Sequence, residues 1–202
     1  MLRAYRTGAD LHTRTAAAIL GKDEAAVTKA DRSLAKALNF GLLYGMGAKG
    51  FRDYARTQFG IALAEQEAES FRAAFFKAYP GLKRWHRRIG ADRSPTIQTR
   101  TLAGRRRLEV ARFTERLNSP VQGTGADGLK LALALLWERR CEMPGAALVL
   151  AVHDEIVVEA DEAQAGAAAE WLKTAMVDAM APLIHPVPVV AEASVGRTWG
   201  DG

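Results

Sequence analysis

Cysteine is nearly absent from this sequence of 202 residues, and long apolar runs are missing altogether. A single thiol, Cys141, closes no internal disulfide and offers no metal-ligand spacing, which excludes a disulfide framework and a thiolate metal centre. No apolar stretch reaches the ~20 residues that span a bilayer, so no membrane partner is expected. The opening MLRAYRTGADLH carries arginines and an aspartate but no apolar segment, unlike a secretory signal. A reducing, cytoplasmic location follows as the expectation. Repeats, low-complexity tracts and Ser/Pro-rich linkers are also lacking, so the chain reads as continuous structure.

What is present is ordinary for a folded domain: 49% hydrophobic and 25% charged residues. The net charge is +5, and arginine makes up 20 of the 28 cationic residues. Arginine favours forked contacts to phosphate, so the balance raises the odds of a polyanionic partner without proving one.

Turn signals and periodicity divide the chain into mostly helical stretches. DLHTRTAAAIL reads as a helix from Asp10 to Leu20, stopped by Gly21. Thr28 with Asp31 resembles an N-cap and its acidic partner, opening a helix to about Tyr44. Gly41, Gly45, Gly47 and Gly50 mark a turn region. Helices follow over about 49–58 and 63–79, and a short one after Pro80 runs through Trp85. TIQTRTL and RRRLEV suggest two short strands about a turn. A long helix is expected over about 114–140, interrupted early by Pro120 and its glycines. ALVLAV and EIVVEA form a hairpin about His153 and Asp154. A last helix covers 161–181, and VPVVAEASV closes as a strand. This is an α+β layout with one small, mostly antiparallel sheet.

Two groupings carry chemistry. Arg32, Lys36, Phe40 and Tyr44 fall at i, i+4 spacing within the helix 30–44. They cover an arc of about 120° along about 18 Å of axis. Leu34, Leu38 and Leu42 line the other side as a buried stripe. Two cations followed by two rings match the order of groups in a nucleoside triphosphate. Spacing alone fits an amphipathic helix with solvated cations better than a nucleotide site. In the second grouping, apolar strand residues that are expected to be buried flank His153, Asp154 and Glu155 at a hairpin tip. A carboxylate on rigid strands suits Mg²⁺, which takes oxygen ligands and shares them with phosphates. Turn chemistry alone would also place Asp there.

DRSLAKALNFGLLYGM resembles motif B of the family A DNA polymerases, R-x3-K-x3-F/Y-x3-Y-G, in every position. LAVHDEIVV is similar to motif C, V-H-D-E, in the expected order and about 110 residues later. RLNSPVQGTGADGLKLAL resembles the stretch leading into the long palm helix, GADLHTRTAA the helix after the first catalytic motif, and TLAGRRRLEV the basic hairpin. The likeness runs from about Gly8 to Trp199. It implies that Arg32 and Lys36 contact the incoming triphosphate, and that Lys36 is catalytic as proton donor to the leaving pyrophosphate. Phe40 then lies beside the sugar and Tyr44 near the templating pair. Asp154 is implied as ligand of both catalytic Mg²⁺ ions, with Glu155 as a nearby catalytic carboxylate and His153 against the primer end. Asn118 and Gln122 would read the minor groove, and Arg105 would touch DNA backbone. Arg112 and Arg116 are both candidates for a further DNA-contacting arginine.

The resemblance also implies an incomplete right-hand fold. Residues 1–27 would be a palm-derived N-terminal helix, 28–93 the fingers and 94–202 a palm portion with its hairpin at 146–160. No D-Y-S-x-I-E segment of motif A type, thumb or exonuclease is read in the sequence. The expected function is DNA-templated addition of dNTPs on a DNA primer-template, in replication or repair. The isolated chain is expected to be inactive, with a second polypeptide supplying motif A and the thumb. The alternatives are a non-catalytic DNA-binding remnant, or another metal-dependent nuclease or phosphotransferase.

Overall fold

The computed structural model describes residues 1–201. Among these residues eight α-helices and four strands follow in order: α1 (Leu2–Thr7), α2 (Leu11–Leu20), α3 (Lys29–Leu43), α4 (Ala48–Phe59), α5 (Glu65–Ala78), α6 (Pro80–Ala91), β1 (Ile97–Arg100), β2 (Arg106–Val110), α7 (Phe113–Glu138), β3 (Ala147–Val152), β4 (Glu155–Glu159) and α8 (Ala165–Ile184). The α+β class is confirmed, but the expected single sheet is two separate two-stranded sheets, β1–β2 and β3–β4. The chain divides into two compact units. One holds Met1–Thr99 with Arg107–Ser119, the other Arg100–Arg106 with Pro120–Gly202, and α7 runs through both.

The first unit is built on the capping chemistry that the sequence signals. Thr28 Oγ1 accepts from the Asp31 amide at 3.2 Å, while Asp31 Oδ2 accepts from the Thr28 amide at 3.0 Å. This reciprocal box satisfies two otherwise unpaired donors at the start of α3. Lys22 donates to Asp31 Oδ2 at 2.8 Å, and this bond, ahead of those from Thr28, pulls the carboxyl down to about 2. Leu38 and Leu42 on the inner face of α3 are buried with Phe51 of α4 and Phe75 of α5, and Leu34 packs half-buried against them. Gly45 ends the helix at φ +86°, and a side chain there would meet Leu117 and Phe113 at 2.8 Å. Gly41 and Gly50 lie inside α3 and α4, so only Gly45 of that region serves a turn of left-handed backbone.

The second unit packs α7 and α8 against β4 of the β3–β4 hairpin, with Ala132, Leu136, Ile156, Ala175 and Ala179 at its centre. Pro120 and the glycines do not interrupt α7. Gly123 and Gly128 serve close approach instead. A Cβ at Gly123 would lie 2.6 Å from Thr101 Cγ2, and one at Gly128 2.7 Å from Met180 Sδ.

Three further expectations are corrected. VPVVAEASV forms no strand: no ladder partner is present among the described residues, and Val190 and Val195 are exposed. The flanks of the hairpin are not buried throughout either. Ile156 is, but Leu148, Val149 and Leu150 are exposed because no layer within this unit covers β3. The helix after Pro80 extends six residues past Trp85, to Ala91.

Candidate functional site

α3 presents the predicted face. Arg32, Lys36 and Phe40 are exposed in that order on its outer side, and Tyr44 is half-buried at its C-terminal end. The N-terminus of α2 lies against this face. Asp10 caps α2 through Oδ1, accepting from the amides of His12 at 2.7 Å and Thr13 at 2.9 Å. Its other oxygen accepts from Arg32, Nε at 2.8 Å and Nη2 at 2.7 Å. The Thr13 amide, and after it the Arg32 guanidinium, hold the Asp10 carboxyl below its ordinary value against the opposing effect of burial. Arg32 is thus oriented by a carboxylate 22 positions away, a pairing that no local pattern announces.

His12 is the second addition from α2. Its ring is tilted beside Phe40 with centroids 5.8 Å apart. The amide nitrogen of Asn39 lies 2.9 Å from His12 Nδ1 and can only donate, so Nδ1 accepts and the ring proton sits on Nε2. Asn39 is buried, and its amide also meets Thr15 Oγ1 at 3.2 Å. Thr15 donates to the Leu11 carbonyl at 2.8 Å, leaving its oxygen to accept from the Tyr79 hydroxyl at 2.6 Å. A buried polar chain therefore runs from Tyr79 through Thr15 and Asn39 to His12. Burial, with lesser effects from Arg32 and Lys36, pushes the imidazole below its ordinary value, and Asp10 opposes this. His12 is neutral near pH 7.

The carboxylate tip sits where β3 turns into β4. Val152 pairs with Glu155, so His153 and Asp154 form a two-residue turn. His153 takes φ +55°, a region sparsely used by non-glycine residues and one that recurs at functional sites. His153, Asp154 and Glu155 are all exposed. Upstream, Val149 is an extra residue in the ladder between Leu148 and Leu150, a bulge that adds local twist to β3. Glu155 Oε1 accepts from the Trp199 indole at 3.2 Å, which fixes one of its two oxygens. Adjacent carboxylates are the hard oxygen donors that Mg²⁺ prefers, and one or two of them suffice where phosphates complete the shell. Among the described residues no third His, Cys, Asp or Glu joins them, so they form an open site rather than a cage.

The remaining candidates separate clearly. Arg116 is buried and donates to the carbonyls of Val110, Asp92, Ser94 and Pro95 at 2.6–3.3 Å. It is a loop-holding residue, whereas Arg112 is exposed. Arg105 donates from Nε to Asp127 at 2.6 Å and from Nη2 to the Gly123 carbonyl at 3.0 Å. Burial pushes Asp127 up, but bonds from Thr101 and Arg105 outweigh it and leave the carboxyl low. Arg105 thus secures the turn after β1, and the neighbouring Arg106 is exposed. On α7, Asn118 is half-buried with Oδ1 lacking a partner among the described residues, and Gln122 is exposed.

Known proteins resemble this chain over nearly its whole length. DNA polymerase I of Aquifex aeolicus is 41% identical over 203 residues, covering 98% of this chain and 35% of that protein. The thermostable DNA polymerase I of Thermus aquaticus is 36% identical over 210 residues, covering 98% and 24%. The chain therefore spans about a third or less of the length of these relatives. Among solved structures, the POL domain of Pol1 from M. smegmatis, in complex with DNA primer-template and dNTP, superposes with a TM-score of 0.77 at 28% identity. That match covers 96% of this chain and 35% of the other. Residues 1–201 match the model of DNA polymerase family A, and the chain belongs to that family.

Proposed function

We propose that the chain carries the nucleotide-binding and part of the catalytic apparatus of a DNA-directed DNA polymerase, adding dNTPs to a DNA primer on a DNA template. The observation that carries this reading is the exposed order of Arg32, Lys36 and Phe40 on one helix, with His12 alongside. Arg32 and Lys36 supply fixed positive charge for a triphosphate, and charge-assisted bonds of this kind are about twice as strong as neutral ones. Phe40 lies beside the sugar and offers no hydroxyl. Lys36 protonates the departing pyrophosphate, while Tyr44 bounds the base-pair end of the helix.

At the other site Asp154 and Glu155 would hold Mg²⁺, which supplies Lewis-acid neutralisation of phosphate charge when bound. The Trp199 indole keeps one Glu155 oxygen oriented, and His153 borders the primer end. Asn118 and Gln122 face the minor groove. Arg112, rather than Arg116, supplies the DNA contact. Two-metal phosphoryl transfer needs more carboxylates than this pair. The complete reaction therefore requires a further aspartate from outside the described residues, carried on the same or another polypeptide.

Primer extension tests the reading. The chain is assayed with Mg²⁺ and dNTPs, alone and mixed with a relative's segment bearing thumb and motif A. Extension in the mixture that is lost with Asp154→Ala supports it. Extension indifferent to both Asp154→Ala and Lys36→Ala refutes it. DNA binding without any extension would move the chain to a binding role.

A further inference from the structure

The net positive charge of this chain is not evenly spread. Residues 80–93 contain Lys83, Arg84, Arg87, Arg88 and Arg93 against the single carboxylate of Asp92, so this segment supplies four of the five net charges. Four of these cations lie on α6. At ~100° per residue Lys83, Arg84, Arg87 and Arg88 share an arc of about 140° along about 7 Å of axis. The opposite arc holds Leu82, Trp85, His86 and Ile89. Leu82 packs against the core of the first unit, and His86 donates from Nε2 to the Leu43 carbonyl at 2.8 Å. The His86 ring meets Phe76 edge-on at 5.1 Å. One side of α6 is thus fastened to the C-terminal end of α3, and the other faces solvent.

All five cations are exposed, and none has a hydrogen bond or ion pair among the described residues. Arg14, Arg32, Arg52 and Arg72 of this unit are engaged by Glu24, Asp10, Asp53 and Glu69, whereas Arg3, Arg6, Arg56 and Arg112 are exposed like those of α6, so what sets α6 apart is four such cations on one arc. A short helix face with four uncompensated cations repels itself unless a polyanion neutralises it.

We propose that the outer face of α6, with Arg93, is a docking track for the phosphate backbone of a nucleic-acid strand, separate from the nucleotide face of α3. This inference rests on the polymerase reading for the identity of the polyanion. About 7 Å of track corresponds to two or three phosphates at 3.4 Å rise per residue of one strand. The outer arc bears no aromatic side chain, so the contact is to backbone and independent of sequence. Fastening through His86 makes a strand held on α6 a fixed reference for the end of α3.

Fluorescence anisotropy with a labelled primer-template and with a labelled single strand, titrated with KCl, tests this. Arg87→Gln with Arg88→Gln lowers the slope of log K against log[salt] by about 1.8 on duplex or about 1.4 on single strand, depending on which the face holds. Arg87→Lys with Arg88→Lys keeps the wild-type slope. Arg139→Gln with Arg140→Gln removes the same charge from the other unit and leaves the slope within about 0.5 of wild type. An unchanged slope in the α6 glutamine variant, or an equal loss in the Arg139/Arg140 control, overturns the proposal. Binding of dNTP, read in the same proteins and in Arg32→Ala, separates the two levels. If the α6 variants lose nothing while Arg32→Ala abolishes dNTP binding, the track is wrong and the polymerase reading stands.

Discussion

Replacing Asn39 tests the polar chain that runs into the proposed nucleotide face. Asn39→Leu keeps side-chain size and removes the amide that lies 2.9 Å from His12 Nδ1. Thr15 still donates to Leu11 and still receives Tyr79, so the orphaned group is the imidazole nitrogen alone. Leaving one buried acceptor unpaired costs about 1–3 kcal/mol, partly offset by burying the new apolar side chain. Asn39→Asp acts in the other direction. A carboxylate can only accept, so the ring proton moves to Nδ1 and the imidazolium gains a partner. An opposite charge at this range raises a histidine pKa by about 1–3 units. His12 then becomes cationic near neutrality beside Arg32 and Lys36. Nitrogen chemical shifts of the ring report tautomer and titration together, with His86, His153 and His185 assigned by substitution. In the wild type, Nε2 carries the proton and the ring titrates below 6.5. Because the folded value is depressed, its contribution to stability is full above about pH 6.5 and is lost as pH falls through the folded value. A wild-type ring protonated on Nδ1, or a titration curve identical in all three proteins, would refute the reasoning.

Three other outcomes follow from particular contacts. Gly45→Ala forces a side chain into left-handed backbone 2.8 Å from Leu117 and Phe113, and should cost about 2–5 kcal/mol in denaturant unfolding. Arg116→Met strips the donor from four carbonyls and is expected to cost about 3 kcal/mol or more, with increased amide exchange over 92–94. Asp31 is held at about 2, so the cap of α3 is intact above about pH 3.8 and lost as pH falls through about 2. Lys22→Met should let that carboxyl rise toward its ordinary value in a side-chain NMR titration.

Local signals in the sequence located the helices that cap themselves. Thr28 and Asp31 announce α3, and Gly21 ends α2 in left-handed backbone. The i, i+4 stripe fixed which groups α3 exposes, because helical geometry alone decides that. Long-range partners were not legible. Asp10 reaches Arg32 across 22 positions, Tyr79 reaches Thr15 across 64, and Arg105 reaches Asp127 across 22. Each joins separate elements, and nothing in the spacing of either residue hints at the other. The same blindness turned Gly123 and Gly128 into apparent helix breakers. Their purpose becomes visible only when Thr101 and Met180 are seen pressed against them. VPVVAEASV reads as a strand because its residues favour extended backbone, yet a strand requires a ladder partner.

The double engagement of Asp10 has a consequence for how selectively this face can respond to anions. One carboxylate closes the end of α2 and at the same time occupies Nε and Nη2 of Arg32. Any phosphate that takes those two donors must first outcompete a ligand that is tethered and always present. Binding is therefore an exchange, and the resident carboxylate sets a threshold. A weakly charged anion gains little by displacing it, whereas a triphosphate that also engages Lys36 gains a second cation for the same exchange. Asp10→Asn keeps the cap acceptor and removes the charge. It should tighten binding of inorganic phosphate by a larger factor than binding of a dNTP, narrowing the gap that the resident carboxylate maintains.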